Sequence, residues 1–380
     1  MKKRLIPLIL ISLFIFFIAA CANENTPEVY KSYQPETYGK ESDDLTVHFL
    51  ELGNASVGDC VYIKYGDVDI IIDAGSDQAS ATTIINYINT HSEDGKLEYV
   101  IATHAHADHI AAFTSWSYGT NLQRTGILDY YDIDLIIDFP KTNYSTIEGT
   151  PGYTGTYRNY ANARERKKNK GTAHFTALQC YKNQGGAKRI YDLGQDVKLE
   201  ILYNYYYENY SSNENNYSVC VRIIQGDKQY LFTGDLEHEG EIELVNYYES
   251  RHRGLGHCVL YKAGHHGSYT SSHDELMNAI TPGYVCVCTC VGTTQYTTNV
   301  GGIFPTQAFI DRVAPHTDEV YLTTRVTNFK DNAFEPFNGN IVFRVSAING
   351  EISVKGSNND SKLKDTDWFD KNRVMPDAWK

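Results

Sequence analysis

Residues Thr103–Phe113 read THAHADHIAAF and follow directly on the apolar run LEYVIA, residues 97–102. The run has the length and composition of a buried strand. Three histidines and an aspartate, His104, His106, Asp108 and His109, then fall within six positions. Ligand-type side chains spaced along a tight turn converge on one point, and imidazole with carboxylate suits zinc, manganese or iron. His104 and His106 can hold one ion, and Asp108 and His109 can face a second. The turn is therefore expected to bind metal.

Two later segments repeat the device. YLFTGDLE (230–237) is an apolar strand ending in Thr-Gly-Asp. Gly234 lets the backbone turn and Asp235 stands at the strand end, where a carboxylate with two oxygens can bridge two cations. CVLYKAGHHGS (258–268) is a strand, then Gly264, then His265 and His266. Either fragment alone is an ordinary turn. In this order, each at a strand end, they make one set.

The pattern around these segments is rich in strands. TVHFLEL, CVYIKY, VDIIIDAG, IDLIIDF, VKLEILY, YSVCVRII, YVCVCTCV, EVYLTT, NIVFRVS and EISVKG are short apolar or alternating runs bounded by turn residues. Helical spacing fits QASATTIINYINTHSE, with Ile84, Ile85 and Ile88 inward, and also EHEGEIELVNYYESR, SHDELMNAI and PTQAFIDRV. Two sheets with helices outside, an α/β fold of four αββα layers, accommodate this order. The least regular part lies between Thr114 and Gly194. There TNYSTIEGTPGYTGTYRNY is expected to be a loop. RNYANARERKKNKG is expected to be the solvated face of a helix, with contact to an anionic polymer as the alternative. The tyrosine-rich YNYYYENY before Ser211 is a strand end and surface loop, or a pocket wall whose rings attract cations.

The chain has 380 residues, 42% of them apolar, enough for a sizeable core. MKKR followed by LIPLILISLFIFFIAA and Cys21 has the layout of a secretory signal, and IAAC is similar to a bacterial lipobox. Residues 1–21 are thus expected to be a lipoprotein signal with a lipidated Cys21, and 22–44 a flexible tether. A folded domain is expected at 45–356 and a polar tail at 357–380. The protein would sit outside the cytoplasm, anchored to the membrane by its N-terminal lipid. Loss of Met1–Ala20 would remove Lys2, Lys3 and Arg4 and move the net charge from −13 to −16. So acidic a chain repels nucleic acid at long range, which counts against general DNA binding and not against a phosphoester drawn in by a cationic centre. Seven cysteines follow Cys21, an odd number without a CxxC pair, so neither a disulfide framework nor a zinc ribbon is indicated. Cys286, Cys288 and Cys290 would share one face of a strand as small hydrophobes.

HxHxDH, then FTGD, then HHGSYTSS resembles the metallo-β-lactamase superfamily, and within it the metallohydrolase domain of the competence protein ComEC and its free-standing relatives. The resemblance runs from about Thr46 to Lys355 and includes ELGNASVGDCVYIKYGDVDIIIDAG at the start and NGNIVFRVSAINGEISV at the end. It implies two divalent ions, Zn or Mn, and hydrolysis by a metal-bound hydroxide. His104 and His106 are implied for one site, Asp108 and His109 for the other, Asp235 as the bridge and His265 as a further ligand. Asp108 also counts as catalytic. His266 is implied as a proton donor or a supporting group. Asn216, Ser218, Ser268 and Thr270 stand near the motifs, as binders of substrate oxygens or as turn caps. The chain departs from the competence type in three places. It has His106 where an aspartate is common. It has no histidine in strand-end context between the first cluster and Asp235, where His174 is the only one. It has GIFPTQ, around Phe304 and Pro305, where an HPHP-like segment is usual.

The substrate expected from this resemblance is a phosphodiester, with extracellular DNA as one case. A cell-envelope esterase acting on the phosphorylcholine of a wall polymer is the alternative. A surface binding lipoprotein that has lost its chemistry is the reading from outside the enzymes. No protein partner is expected.

Overall fold

The computed structural model describes residues 33–92, 94–118 and 122–380. The signal-type segment, Cys21 and the first part of the tether lie outside the described residues. No helix among the described residues is long and apolar enough to cross a membrane.

Two eight-stranded sheets make up the frame. The first runs Ile352–Gly356, Ile341–Val345, Leu45–Phe49, Val61–Tyr65, Val68–Ile72, Lys96–Ile101, Asp132–Asp138, Ala173–Thr176. The second runs Ala333–Pro336, Val320–Asn328, Tyr284–Val291, Leu260–Lys262, Lys228–Phe232, Val221–Gln225, Val197–Ile201, Ile190–Gly194. Each sheet is antiparallel over part of its width and parallel where helices return the chain, so the parallel strands release their C-terminal ends at one edge.

Period-two alternation explains the layering. In the Lys228–Phe232 strand, Tyr230 and Phe232 pack between the sheets, while Leu231 packs under the helices His238–Glu249, Asp274–Ile280 and Gln307–Val313. In Tyr284–Val291, Cys286 and Cys288 face the inter-sheet core and Val285 and Val287 the helices. Cys290 packs separately against Val57 and Phe304. All seven cysteines are buried and free, as small hydrophobes. On the other side, Ser80–Ile88 buries Ile84, Ile85 and Ile88, and Gly155–Lys168 lies over Asp132–Asp138 through Tyr160 and Arg164. The arrangement is the αββα sandwich.

Several segments differ from the sequence reading. Residues 33–44 do not simply trail. Gly39 N–H donates to Leu193 O at 2.8 Å, and the Tyr33 ring meets Tyr99 and Tyr191 edge-on. The stretch expected as a polar tail closes the fold instead: helix Asp367–Asn372 and its flanks bury Leu363, Trp368, Phe369 and Trp379 in the helical layer. The irregular loop is shorter than expected, because Thr154 accepts from Tyr157 N–H and starts a helix at Gly155. Strands Ala173–Thr176, Ile190–Gly194 and Ala333–Pro336 went unread. All three are sheet edges, so they carry no continuous apolar run. The basic run 158–171 is the expected helix with a solvated face, Arg166, Lys168 and Lys170 being exposed, but part of its charge is used within the fold. Arg164 pairs with Asp138 at 2.5 Å, Arg166 with Asp129 at 2.8 Å, and Lys167 Nζ donates to Tyr131 O at 2.6 Å.

Candidate metal centre

The three motif segments meet. The Lys96–Ile101 strand delivers the HAHADH turn, Lys228–Phe232 delivers Asp235, and Leu260–Lys262 delivers His265 and His266. Two glycines permit the approach. A Cβ on Gly75 would lie 1.5 Å from Asp108 O, and Gly234 has φ +57 with a would-be Cβ 2.9 Å from Ser218 Oγ and Thr103 Cβ. His265 and His266 hold left-handed backbone, φ 43 and 54, a strained arrangement for non-glycine residues that splays their two rings.

Among the described residues four groups of side chains could each hold an ion, their ligand atoms within 4.8 Å of one another. They are His104, His109 and Asp235; Asp108, His109 and His266; Asp59, Asp73 and His109; and Asp59, Asp235 and His266. His109 is the hub. Its Nδ1–H donates to Asp73 Oδ2 at 2.8 Å, which fixes the tautomer, and its Nε2 lies 3.1 Å from Asp235 Oδ2. Asp73 is held in turn by Thr103, through N–H and hydroxyl, both at 2.7 Å. His266 Nδ1 reaches Cys288 O at 3.0 Å and Asp59 Oδ1 at 2.9 Å, leaving Nε2 3.3 Å from Asp235 Oδ2 and 3.7 Å from Asp108 Oδ2.

His106 and His265 stand at the rim, outside those four groups. His106 Nδ1 is 2.9 Å from His104 Nε2, and its ring lies against Tyr144. His265 turns its Nδ1 to Thr270 Oγ1 at 2.8 Å and to Glu237 at 3.4 Å, with Nε2 3.7 Å from Asp235 Oδ2. The member of the His-His pair that enters the cluster is thus His266, and the half-buried one is His265. His174 is elsewhere: it sits within an edge strand and its Nε2 bonds Asp138 at 2.9 Å. The four residues expected as binders of substrate oxygens or as turn caps all make hydrogen bonds within the motifs. Ser218 Oγ accepts from Asp235 N–H at 3.1 Å, and Asn216 Oδ1 accepts from Glu237 N–H at 3.3 Å; both residues are buried. Ser268 bonds Thr270, which bonds His265.

Sequence reasoning did not single out Asp59, Asp73 or Lys262. Asp73 ends the apolar strand VDIII, the same signal that marked Asp235. Lys262, 3% exposed, is a lysine inside an apolar strand, and its ammonium forms an ion pair with Asp59 and lies 3.8 Å from Asp235 Oδ1. Burial opposes charge throughout this cluster; it wins at Asp73, whose carboxyl is raised, while at His109, His266, Asp235 and Asp59 opposite charges outweigh it. Asp235 and Asp73 hold His109 well above the usual imidazole range. His109 and His266 hold Asp235 well below the carboxylate range, and Lys262 lowers Asp59. His104 goes the other way: burial, then the neighbouring His109 and His106, push it well down. Asp235 Oδ1 and His266 Nε2 are buried and make no hydrogen bond. Unbonded donor atoms of nitrogen and oxygen, aimed into a cluster of carboxylates, fit a divalent cation of intermediate softness.

A model of the Metallo-beta-lactamase superfamily matches residues 53–122. The competence protein ComA of Neisseria gonorrhoeae is 33% identical over 109 residues, 29% of this chain and 14% of that protein; the chain thus spans a small part of that relative's length. Among solved structures, the metallo-β-lactamase fold protein YhfI of Bacillus subtilis covers 73% of this chain and 95% of its own, at 12% identity and TM-score 0.39. CmlA, a diiron β-hydroxylase from Streptomyces venezuelae, covers 72% of this chain and 48% of its own, at 13% identity and TM-score 0.34. Over residues 53–122 the sequence is similar to the Metallo-beta-lactamase superfamily, and this stretch carries the HAHADH turn.

Proposed function

We propose that this chain is a metal-dependent hydrolase of phosphodiesters, exported and held at the membrane surface by a lipid on Cys21. The observation that carries the hydrolase is the meeting of His104, His109 and Asp235 with Asp108 and His266 at one sheet edge. The phosphodiester is what the resemblance of HAHADH, FTGD and HHGSYTSS to the competence-type domain implies, and the chain is 33% identical to a competence protein over 109 residues. The export reading rests on the N-terminal sequence layout alone.

Divalent ions at this centre would supply Lewis acidity to the ester and acidify the attacking water. The chain's residues do the rest. Asp73 and Cys288 O orient His109 and His266, so that Nε2 of each faces the centre. Lys262 balances Asp59 and keeps a net carboxylate excess from repelling an anionic substrate. His265, the half-buried histidine at the rim, is placed to hold a proton for the departing oxygen, with Thr270 fixing its Nδ1. The tyrosine run offers less to a choline cation than its sequence suggests: Tyr203 packs on Tyr247, whose face already carries Arg251 at 3.6 Å.

The purified chain, supplied with Zn2+ or Mn2+, is offered bis-p-nitrophenyl phosphate, linear DNA, p-nitrophenyl phosphorylcholine and nitrocefin. Cleavage of the first two, lost in Asp108→Ala, is the expected result. Turnover of the choline ester alone would move the assignment to an envelope esterase, and uptake of no metal would leave a binding protein. Cys21→Ser should shift the protein from the membrane fraction to the soluble one; an unchanged distribution rejects the lipid anchor.

A further inference from the structure

The loop after strand Tyr284–Val291 contains none of the motifs, yet it closes one side of the centre. Its neck is pinned where Gly292 N–H donates to Phe304 O at 3.0 Å, and Thr306 N–H donates to Gly267 O at 2.9 Å. Its body is tied to the segment that carries Asp59, through Val57 N–H donating to Gln295 Oε1 at 2.8 Å. Phe304 lies against the rings of both His265 and His266, and Tyr296 lies against Phe304. From this frame the Tyr296 hydroxyl donates to Asp108 Oδ2 at 2.7 Å, although the residue as a whole is 54% exposed.

We propose that Tyr296 is a positioning residue of the metal centre: its hydroxyl orients the Asp108 carboxylate toward the ion, and the Gly292–Phe304 loop exists in part to carry it there. This rests on reading the cluster as a metal centre. A free carboxylate rotates about its last torsion, and the peptide groups around Asp108 do not fix it. The phenol bonds Oδ2, the same oxygen that lies 3.7 Å from His266 Nε2, so the bond sets the direction in which that oxygen faces the cluster, as supporting hydrogen bonds do for ligand carboxylates generally. The phenol also joins two parts of the chain that the metal must find in register. Gln295 ties the loop to the Asp59 side, and Tyr296 ties it to the HAHADH turn. The geometry explains an exposed tyrosine whose polar end points inward instead of to water.

The test is a competition titration of Zn2+ against a chromophoric chelator, using the full chain and Tyr296→Phe. The ring and its packing on Phe304 remain in the variant and only the hydroxyl goes. The expected result is an apparent dissociation constant for one ion about 10- to 100-fold higher, with an unchanged unfolding midpoint of the metal-free protein. Gln295→Ala, which frees the loop from Val57, should weaken binding in the same direction and by less. Wild-type constants for every ion in Tyr296→Phe overturn the proposal, because a tyrosine that merely packs would give that result. The titration reads metal uptake and not turnover. A wild type that binds ions and cleaves nothing therefore sinks the hydrolase reading and leaves this one standing, whereas one that binds no ion overturns both.

Discussion

Lys262 has its ammonium in the floor of the centre, ion-paired with Asp59 and also donating to Gly234 O at 3.4 Å. Removing one partner of a buried pair leaves the other charge uncompensated. Lys262→Met should therefore destabilise the metal-free protein by about 3–5 kcal/mol, read by urea unfolding; a loss below about 1 kcal/mol would show that Asp59 is solvated or neutral without it. His48 gives a second test, well away from the cluster. It is 3% exposed, with Nδ1 2.8 Å from Tyr87 Oη and Nε2 2.8 Å from Thr46 Oγ1. Burial above all, then His91 and Lys64, push it from 6.5 down to about 3. The folded value lies below the unfolded one. Its stabilisation is therefore present above pH ~6.5 and is lost as pH falls toward 3, because the unfolded chain takes up a proton that the fold refuses. Wild type should lose roughly 2 kcal/mol more than His48→Leu between pH ~6.5 and ~4.5. Equal losses in the two proteins, by urea unfolding at each pH, would reject this. His104 and His106 titrate in the same direction but are present in both chains, so the difference isolates His48.

Among the elements, strands and helices with strong periodicity are where the sequence places them, since alternation is a local property. Helix Ser80–Ile88 and strand Tyr284–Val291 show it, the one through Ile84, Ile85 and Ile88, the other through Cys against Val. The edge strands Ala173–Thr176, Ile190–Gly194 and Ala333–Pro336 and the C-terminal segment are not legible, because they lack a continuous apolar run and their partners are remote. Residues 357–380 are polar on average, yet Trp379 is buried against Phe369 and its Nε1–H donates to Thr317 O at 2.8 Å. Trp379→Ala should cost about 3–5 kcal/mol in urea unfolding, by loss of buried area and the cavity left behind. A cost near zero would return the segment to the status of a tail.

At the scale of the whole molecule, the centre is built half by each sheet. His104, Asp108 and His109 come from the first sheet, and Asp235 and His266 from the second. An ion held there clamps the two halves and binds the folded chain far better than the unfolded one. With free Zn2+ about 100-fold above its dissociation constant, stability should rise by about 2.7 kcal/mol, and a chelator should reverse it. The same titration on Asp235→Asn should show little of that gain; a full gain there would place the ion elsewhere. By itself the sequence determined the ligand chemistry and the strand-end positions of HAHADH, TGD and GHH. Ligand type and strand periodicity are written in short windows of adjacent residues. Only the tertiary structure decided that His266, and not His265, enters the cluster, that Asp59 and Lys262 form its floor, and that Tyr296 reaches Asp108. Those roles depend on which side of a turn a ring faces and on contacts between segments remote in the chain, and no local pattern encodes either.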